Sequence, residues 1–152
     1  MGLLNSLHGD RIYLDVNVWI YGLEGYPDFL VDLTALFQAI EQGRLTAVTS
    51  ELSLAEALVK PMKDQNLAAQ AIYQQAISDR DHVEVLPVDR KILIQSAQLR
   101  TTNKLKLPDA IHLATAISSN CSTFLTNDKG FCTAKQLPVV ILSDSNSKFG
   151  MG

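Results

Sequence analysis

Short apolar segments alternate along this chain with segments of helical periodicity, a pattern that fits a parallel sheet covered by helices on both faces. Ile12 to Leu14, Leu45 to Thr49, Val83 to Leu86, Thr123 to Thr126 and Val139 to Leu142 read as five strands. Between the first two, Val18-Trp19-Ile20 reads as a short helix that stops at Gly22 and Gly25. Pro27 to Gln42 then carries Phe29, Leu30, Leu33, Leu36, Phe37 and Ile40 at spacings of three and four, an amphipathic helix ended by Gly43. Ser50 is placed to cap a helix through Leu58, and Asn66 to Ile77 makes another. Asp89 to Leu99 returns to helical spacing. Pro108 to Ser118 starts with a proline where a helix can begin and is apolar on most sides, as a central buried helix would be.

With 152 residues, 47% of them hydrophobic, the chain can bury one sizeable core, and its apolar content excludes disorder. One domain over 1–145 with a short polar tail over 146–152 is the simplest division. No apolar run approaches the roughly 20 residues of a membrane helix, so no membrane association is expected. The opening MGLLNSLHGDR lacks a basic leader, a long apolar stretch and a small-residue cleavage site, which points to the cytoplasm. Met1-Gly2 with Ser6 formally fits a myristoylation pattern, but an ordinary start is the preferred reading. Cys121 and Cys132 have neither the number for a disulfide framework nor zinc-knuckle spacing, and are expected as buried thiols.

The net charge of -3 argues against holding nucleic acid by bulk electrostatics. Its distribution is uneven: residues 1–56 carry eight acids against two bases, residues 57–152 eight against eleven. Arg100, Lys104 and Lys106 gather just before Asp109 and could form a phosphate-binding rim or simply a solvated loop.

In a parallel sheet, ligands collect at the carboxyl ends of the strands near the point where strand order reverses. Asp15 follows the first strand, Glu56 lies in the helix after the second, Asp109 starts the helix leading into the fourth, and Asp128 follows the fourth. All four could converge at one end. Crowded carboxylates repel unless a cation sits among them, and oxygen ligands suit magnesium or manganese. Each acid also has an ordinary role open to it. Asp15 could cap a helix, Asp109 could complement a helix dipole, Glu56 could belong to an exposed stripe, and Asp128 could form a turn.

Four segments in order, IYLDVNVWIY, SELSLAEAL, KLPDAIHLATA and FLTNDKGF, resemble the PIN-domain family, in particular its bacterial toxin branch, the VapC-like ribonucleases of toxin-antitoxin pairs. The resemblance covers nearly the whole chain. It implies a three-layer α/β/α fold with a central, mostly parallel five-stranded sheet. It further implies an Mg2+- or Mn2+-dependent endoribonuclease that leaves a 3′-hydroxyl and a 5′-phosphate. Carried over by position, Asp15, Glu56, Asp109 and Asp128 would be the catalytic, metal-binding acids, with Asn17, Thr126 and Asn127 supporting them through hydrogen bonds. Val16 stands where many relatives carry threonine. His112, three residues after Asp109, is more simply a packing and hydrogen-bonding residue than an acid or base, and Trp19 and Tyr21 are more simply core or dimer surface than base-stacking platforms. Lys104 and Lys106 become candidate phosphate contacts. The implied partners are RNA, a cognate antitoxin and a second copy of the chain, with apolar residues between Ser50 and Ile77 as candidate contact surface.

Three other readings compete. A PIN-fold nuclease could process RNA without an antitoxin, and a non-catalytic module could keep the fold to bind RNA or protein. A phosphatase of the haloacid-dehalogenase type would use Asp15 as nucleophile but needs a second acid where Asn17 stands. Dinucleotide binding fails because no glycine-rich loop follows the first strand.

Overall fold

The computed structural model describes residues 2–144, so the tail expected over 146–152 lies outside the described residues. The strands are β1 (Arg11–Leu14), β2 (Thr46–Ser50), β3 (Val83–Leu86), β4 (Thr123–Thr126) and β5 (Val139–Ile141). They form a single sheet of order β3-β2-β1-β4-β5, and all four pairings are parallel. The helices are α1 (Val16–Glu24), α2 (Leu30–Glu41), α3 (Glu51–Lys63), α4 (Leu67–Ala76), α5 (Arg90–Arg100) and α6 (Leu107–Ser118).

Alternation along β1 divides the core in two. Ile12 and Leu14 pack with Ala47 and Leu125 beneath α1, α2, α3 and α4, among Trp19, Leu33, Leu36, Ala57 and Tyr73. Tyr13 points to the opposite face with Val48 and Phe124, against Ile92, Leu99, Ala110, Leu113 and Ala114 of α5 and α6. Both faces are therefore covered, which is why the strands read as continuous apolar runs. The strand order reverses between β1 and β4, so the crevice above their carboxyl ends is the expected ligand position.

The element boundaries differ from the sequence expectation in instructive places. The helix expected over Pro27 to Gln42 is split: Pro27–Phe29 forms a 3-10 turn, and Phe29, with φ -121° and ψ 8°, breaks the helical path before α2. The break seats the Phe29 ring against Tyr21 at 5.1 Å, in a group completed by Tyr26, while Trp19 is fully buried. The helix begun by Ser50 does not stop near Leu58. It continues through Pro61 to Lys63, with Lys60 and Lys63 in the last turn where cations favour the helix dipole. Gly22 lies inside α1, and Gly25 alone ends it by adopting the left-handed conformation (φ 67°) while donating to the Tyr21 carbonyl. Of the two thiols expected to be buried, Cys121 is, whereas Cys132 is exposed on the 3-10 turn Lys129–Thr133. That turn projects Phe131 into the core at 1% exposure and leaves the next residue outside. No helix among the described residues is long and apolar enough to cross a membrane.

Candidate active site

Asp15 stands one residue past β1, at the switch point, and is only 4% exposed. Its carboxylate caps α1, with Oδ1 accepting from the Val16 N–H at 2.8 Å, while Oδ2 accepts from the Thr126 hydroxyl at 2.7 Å. The capping role and a place in the site thus fall to the same side chain. Thr126, the last residue of β4, is fully buried, and its Oγ1 also accepts from the Asp128 N–H at 3.0 Å and from Asn17 Nδ2 at 3.4 Å. Asn17 Oδ1 accepts from the Asn127 N–H at 2.9 Å. Asn127 Oδ1 in turn accepts from the N–H and hydroxyl of Ser143, tying the loop after β4 to the end of β5. Asn17, Thr126 and Asn127 together lace the ends of β1 and β4 into one polar frame.

Asp128 caps the following 3-10 turn through the Gly130 N–H at 2.8 Å. Asp109 lies in the first turn of α6, which delivers it over the sheet edge from the α5–α6 layer. Burial raises the Asp109 pKa above the ordinary carboxylate value, and the negative charges of Asp128, Asp15 and Glu56 raise it further. Asp15 is also raised, chiefly by burial, against the pull of His112, the Thr126 hydroxyl and the Val16 N–H. Of the four acids named from the sequence, Asp15, Glu56 and Asp128 are thus each within electrostatic reach of Asp109.

Glu56 arrives from α3, on the other side of the sheet, and its Oε1 lies 2.7 Å from His112 Nε2. His112 is 1% exposed, one turn beyond Asp109 on α6, and its Nε2 is also 3.8 Å from Asp15 Oδ1. Burial disfavours the charged imidazole, but the Glu56 hydrogen bond and the charges of Asp15, Glu56 and Asp109 outweigh it and raise the His112 pKa. The other ring nitrogen, Nδ1, lies 2.6 Å from the hydroxyl of Tyr13 in β1.

Sequence reasoning treated His112 as a packing and hydrogen-bonding residue; it is buried and doubly hydrogen-bonded, and one bond ends on a candidate site acid. Tyr13, Ser143 and the Thr49–Ser53 hydroxyl pair, joined at 2.7 Å near the Leu14 carbonyl, were not singled out at all. The available signals were a hydroxyl inside an apolar strand two residues before Asp15 and a histidine on the helical face of Asp109. Lys104 and Lys106 are exposed on the segment leading into α6. Arg100, grouped with them by sequence, instead binds the Leu105 carbonyl through Nε at 3.0 Å.

Among the described residues, no three Asp, Glu, His or Cys side chains are arranged as a direct chelating group. The donor set still fits a hard cation. The four acids offer only oxygen, and burial together with the neighbouring negative charges raises Asp109, a cost that a cation would relieve. Magnesium-like ions keep several waters and need few protein carboxylates, so an open group of acids suits them.

A family model described as the PIN domain matches residues 12–137. None of the curated proteins compared matches the sequence. A toxin-antitoxin complex from Klebsiella pneumoniae is similar in structure, with TM-score 0.65 and 25% identity over 86% of this chain and 97% of that one. VapBC2 from Rickettsia felis, bound to a DNA fragment from its promoter, has TM-score 0.64 and 21% identity over 86% of this chain and 98% of the other. VapC20 from Mycobacterium tuberculosis, a sarcin-ricin loop cleaving toxin, has TM-score 0.60 and 15% identity over 74% and 86% respectively.

Proposed function

Because the chain belongs to the PIN-domain family, we propose that it is a divalent-metal-dependent endoribonuclease and the toxin of a toxin-antitoxin pair. What supports this reading is Asp15 at the sheet's switch point on the Asn17–Thr126–Asn127 frame, with the charges of Asp128, Asp15 and Glu56 all acting on Asp109. These four acids would hold Mg2+ or Mn2+. When bound, such an ion supplies charge for phosphate oxygens and lowers the pKa of water.

Hydrolysis adds water to the phosphorus and breaks the bond to O3′, the proton passing to the departing oxygen, which leaves a 3′-hydroxyl and a 5′-phosphate. Thr126 keeps Asp15 pointed into the crevice, and Asn17 and Asn127 hold the loop that carries Asp128. Lys104 and Lys106 bind flanking phosphates, because exposed cations ahead of Asp109 offset the repulsion between RNA and an acidic centre. An Asp15 nucleophile is disfavoured, since Asn17 stands where that chemistry needs a second acid.

The 25% identical toxin-antitoxin complex supports an antitoxin partner. An apolar cleft of about 400 Å³ between α1, α2 and the end of α4, lined by Trp19, Leu33, Phe37 and Ile40, would receive part of it. Val59, Met62, Leu67 and Ile72 on α3 and α4 are at least half exposed and supply further contact area, including that of a homodimer.

The test is cleavage of a mixed structured-RNA pool by antitoxin-free protein with magnesium, manganese or chelator, beside Asp109→Asn. Metal-dependent cutting lost in the variant is the expected result. Folded protein that binds RNA tightly yet cuts neither the pool nor transfer RNAs in either metal would instead favour a non-catalytic binding module.

A further inference from the structure

One hydrogen bond crosses the carboxyl edge of the sheet from one helical layer to the other. It runs from His112 on α6 to Glu56 on α3, 2.7 Å long between residues 56 apart in sequence. Behind it stands Tyr13, fully buried, stacked on Phe124 at a centroid distance of 5.0 Å and ending 2.6 Å from His112 Nδ1. Hydrogen-bonding logic orders this chain. A carboxylate only accepts, so Nε2 must carry the hydrogen given to Glu56, and in the neutral ring Nδ1 is then free to accept from the Tyr13 hydroxyl. The Tyr13 hydroxyl can donate to a bare Nδ1 or accept from a protonated one, so it braces the ring in either state. The imidazole, 1% exposed, has no room to turn away, whereas the Glu56 side chain is 34% exposed and has open solvent as its alternative.

We propose that His112, braced from behind by Tyr13, is a positioning residue of the acidic site: its Nε2–H holds the Glu56 carboxylate over the sheet edge beside Asp15 and Asp109. The proposal rests on the metal-binding reading of the four acids. It assigns to a residue outside that set the task of recruiting the one acid that comes from the opposite helical layer. Side chains that orient ligands in this way commonly change metal affinity by about 10–100-fold when removed.

The two bonds can be separated by substitution. A glutamine amide reaches the position of Nε2, and an asparagine reaches only that of Nδ1. Mn2+ affinity, measured by the loss of the free-ion electron paramagnetic resonance signal, is compared for the full chain and for His112→Gln, His112→Asn and His112→Leu. Binding within about threefold of wild type in the glutamine variant and about 10–100-fold weaker in the other two is expected. Wild-type binding left unchanged in the asparagine and leucine variants overturns the proposal alone. A wild-type protein that binds no Mn2+ overturns the metal-binding reading and the proposal with it. Nitrogen-15 spectra of histidine-labelled wild-type protein in chelator give a second arm that needs no variant to fold. His112 is expected to carry a hydrogen on Nε2 whatever the state of Nδ1, and an Nε2 without one overturns the proposal. Tyr13→Phe should broaden or shift that Nδ1 resonance while leaving His8 and His82 unchanged.

Discussion

Thr126→Val is the sharpest test of how the site is built, because it removes one hydroxyl from a fully buried position at almost constant volume. That hydroxyl donates to Asp15 Oδ2 at 2.7 Å and accepts from the Asp128 N–H at 3.0 Å. A hydrogen bond to a buried charge contributes about 1.5–3 kcal/mol, and a backbone donor left without its acceptor costs about 1 kcal/mol more. The expected loss with Asp15 ionised is therefore about 3 kcal/mol. For a chain of 152 residues this lowers the melting temperature by about 6–12 °C.

The loss should also depend on pH in a defined sense. The folded-state pKa of Asp15 is raised above its ordinary value of 3.8, so ionisation of Asp15 disfavours the fold. Its cost is absent below that ordinary value and complete above the raised one. The Thr126 hydroxyl counteracts the rise, and valine removes that help. The penalty of Thr126→Val is thus full above the raised folded value and shrinks as pH falls through it toward 3.8, leaving about 1 kcal/mol for the neutral bonds. Urea denaturation in chelator at several pH values measures this, with Thr126→Ser as the control that keeps the hydroxyl. A variant within about 0.5 kcal/mol of wild type throughout, or equally penalised below 3.8 and above the raised Asp15 value, would refute the reasoning.

Two further outcomes are expected. Asp109→Asn should raise the melting temperature in chelator, because burial, Asp128 and Asp15 raise the Asp109 pKa and its ionised form opposes folding above the ordinary value; added Mn2+ should then stabilise wild type but not the variant. A lower melting point in the variant would contradict this. Gly22→Ala places a Cβ 2.3 Å from Phe37 Cε2 and should cost about 1–3 kcal/mol by denaturant midpoint, with Phe37→Leu in the same chain recovering part of the loss.

Much of the fold was legible because its signals are local. Ser50, Asn66 and Asp89 cap the helices that follow them, through the N–H groups of Leu52, Ala69 and Ile92. Each strand is short and flanked by turn or capping residues that announce its ends. The errors came where a distant contact outweighed the local pattern. The helical spacing continues through Phe29, yet its aromatic neighbours set the bend there, and Cys132 faces solvent because Phe131 takes the inward place.

The four acids were nameable for a different reason. A residue that follows a strand in a parallel sheet, or starts the helix before one, is placed at the carboxyl edge by topology alone. Order along the chain was enough to bring Asp15, Asp109 and Asp128 to one end, and Glu56 followed from the helix after β2. What the order could not contain is the pairing across that edge. Which acid Thr126 would support, and that His112 would reach Glu56 rather than Asp109, depends on the relative height and rotation of helices on opposite faces of the sheet. The packing of Tyr13 on Phe124 and of α6 over β2 sets those distances, and hydrogen bonds form only within a few tenths of an ångström of their preferred length. Element type and edge are determined by periodicity and chain order, whereas the partners of each polar atom are decided by how the two helical layers close on the sheet.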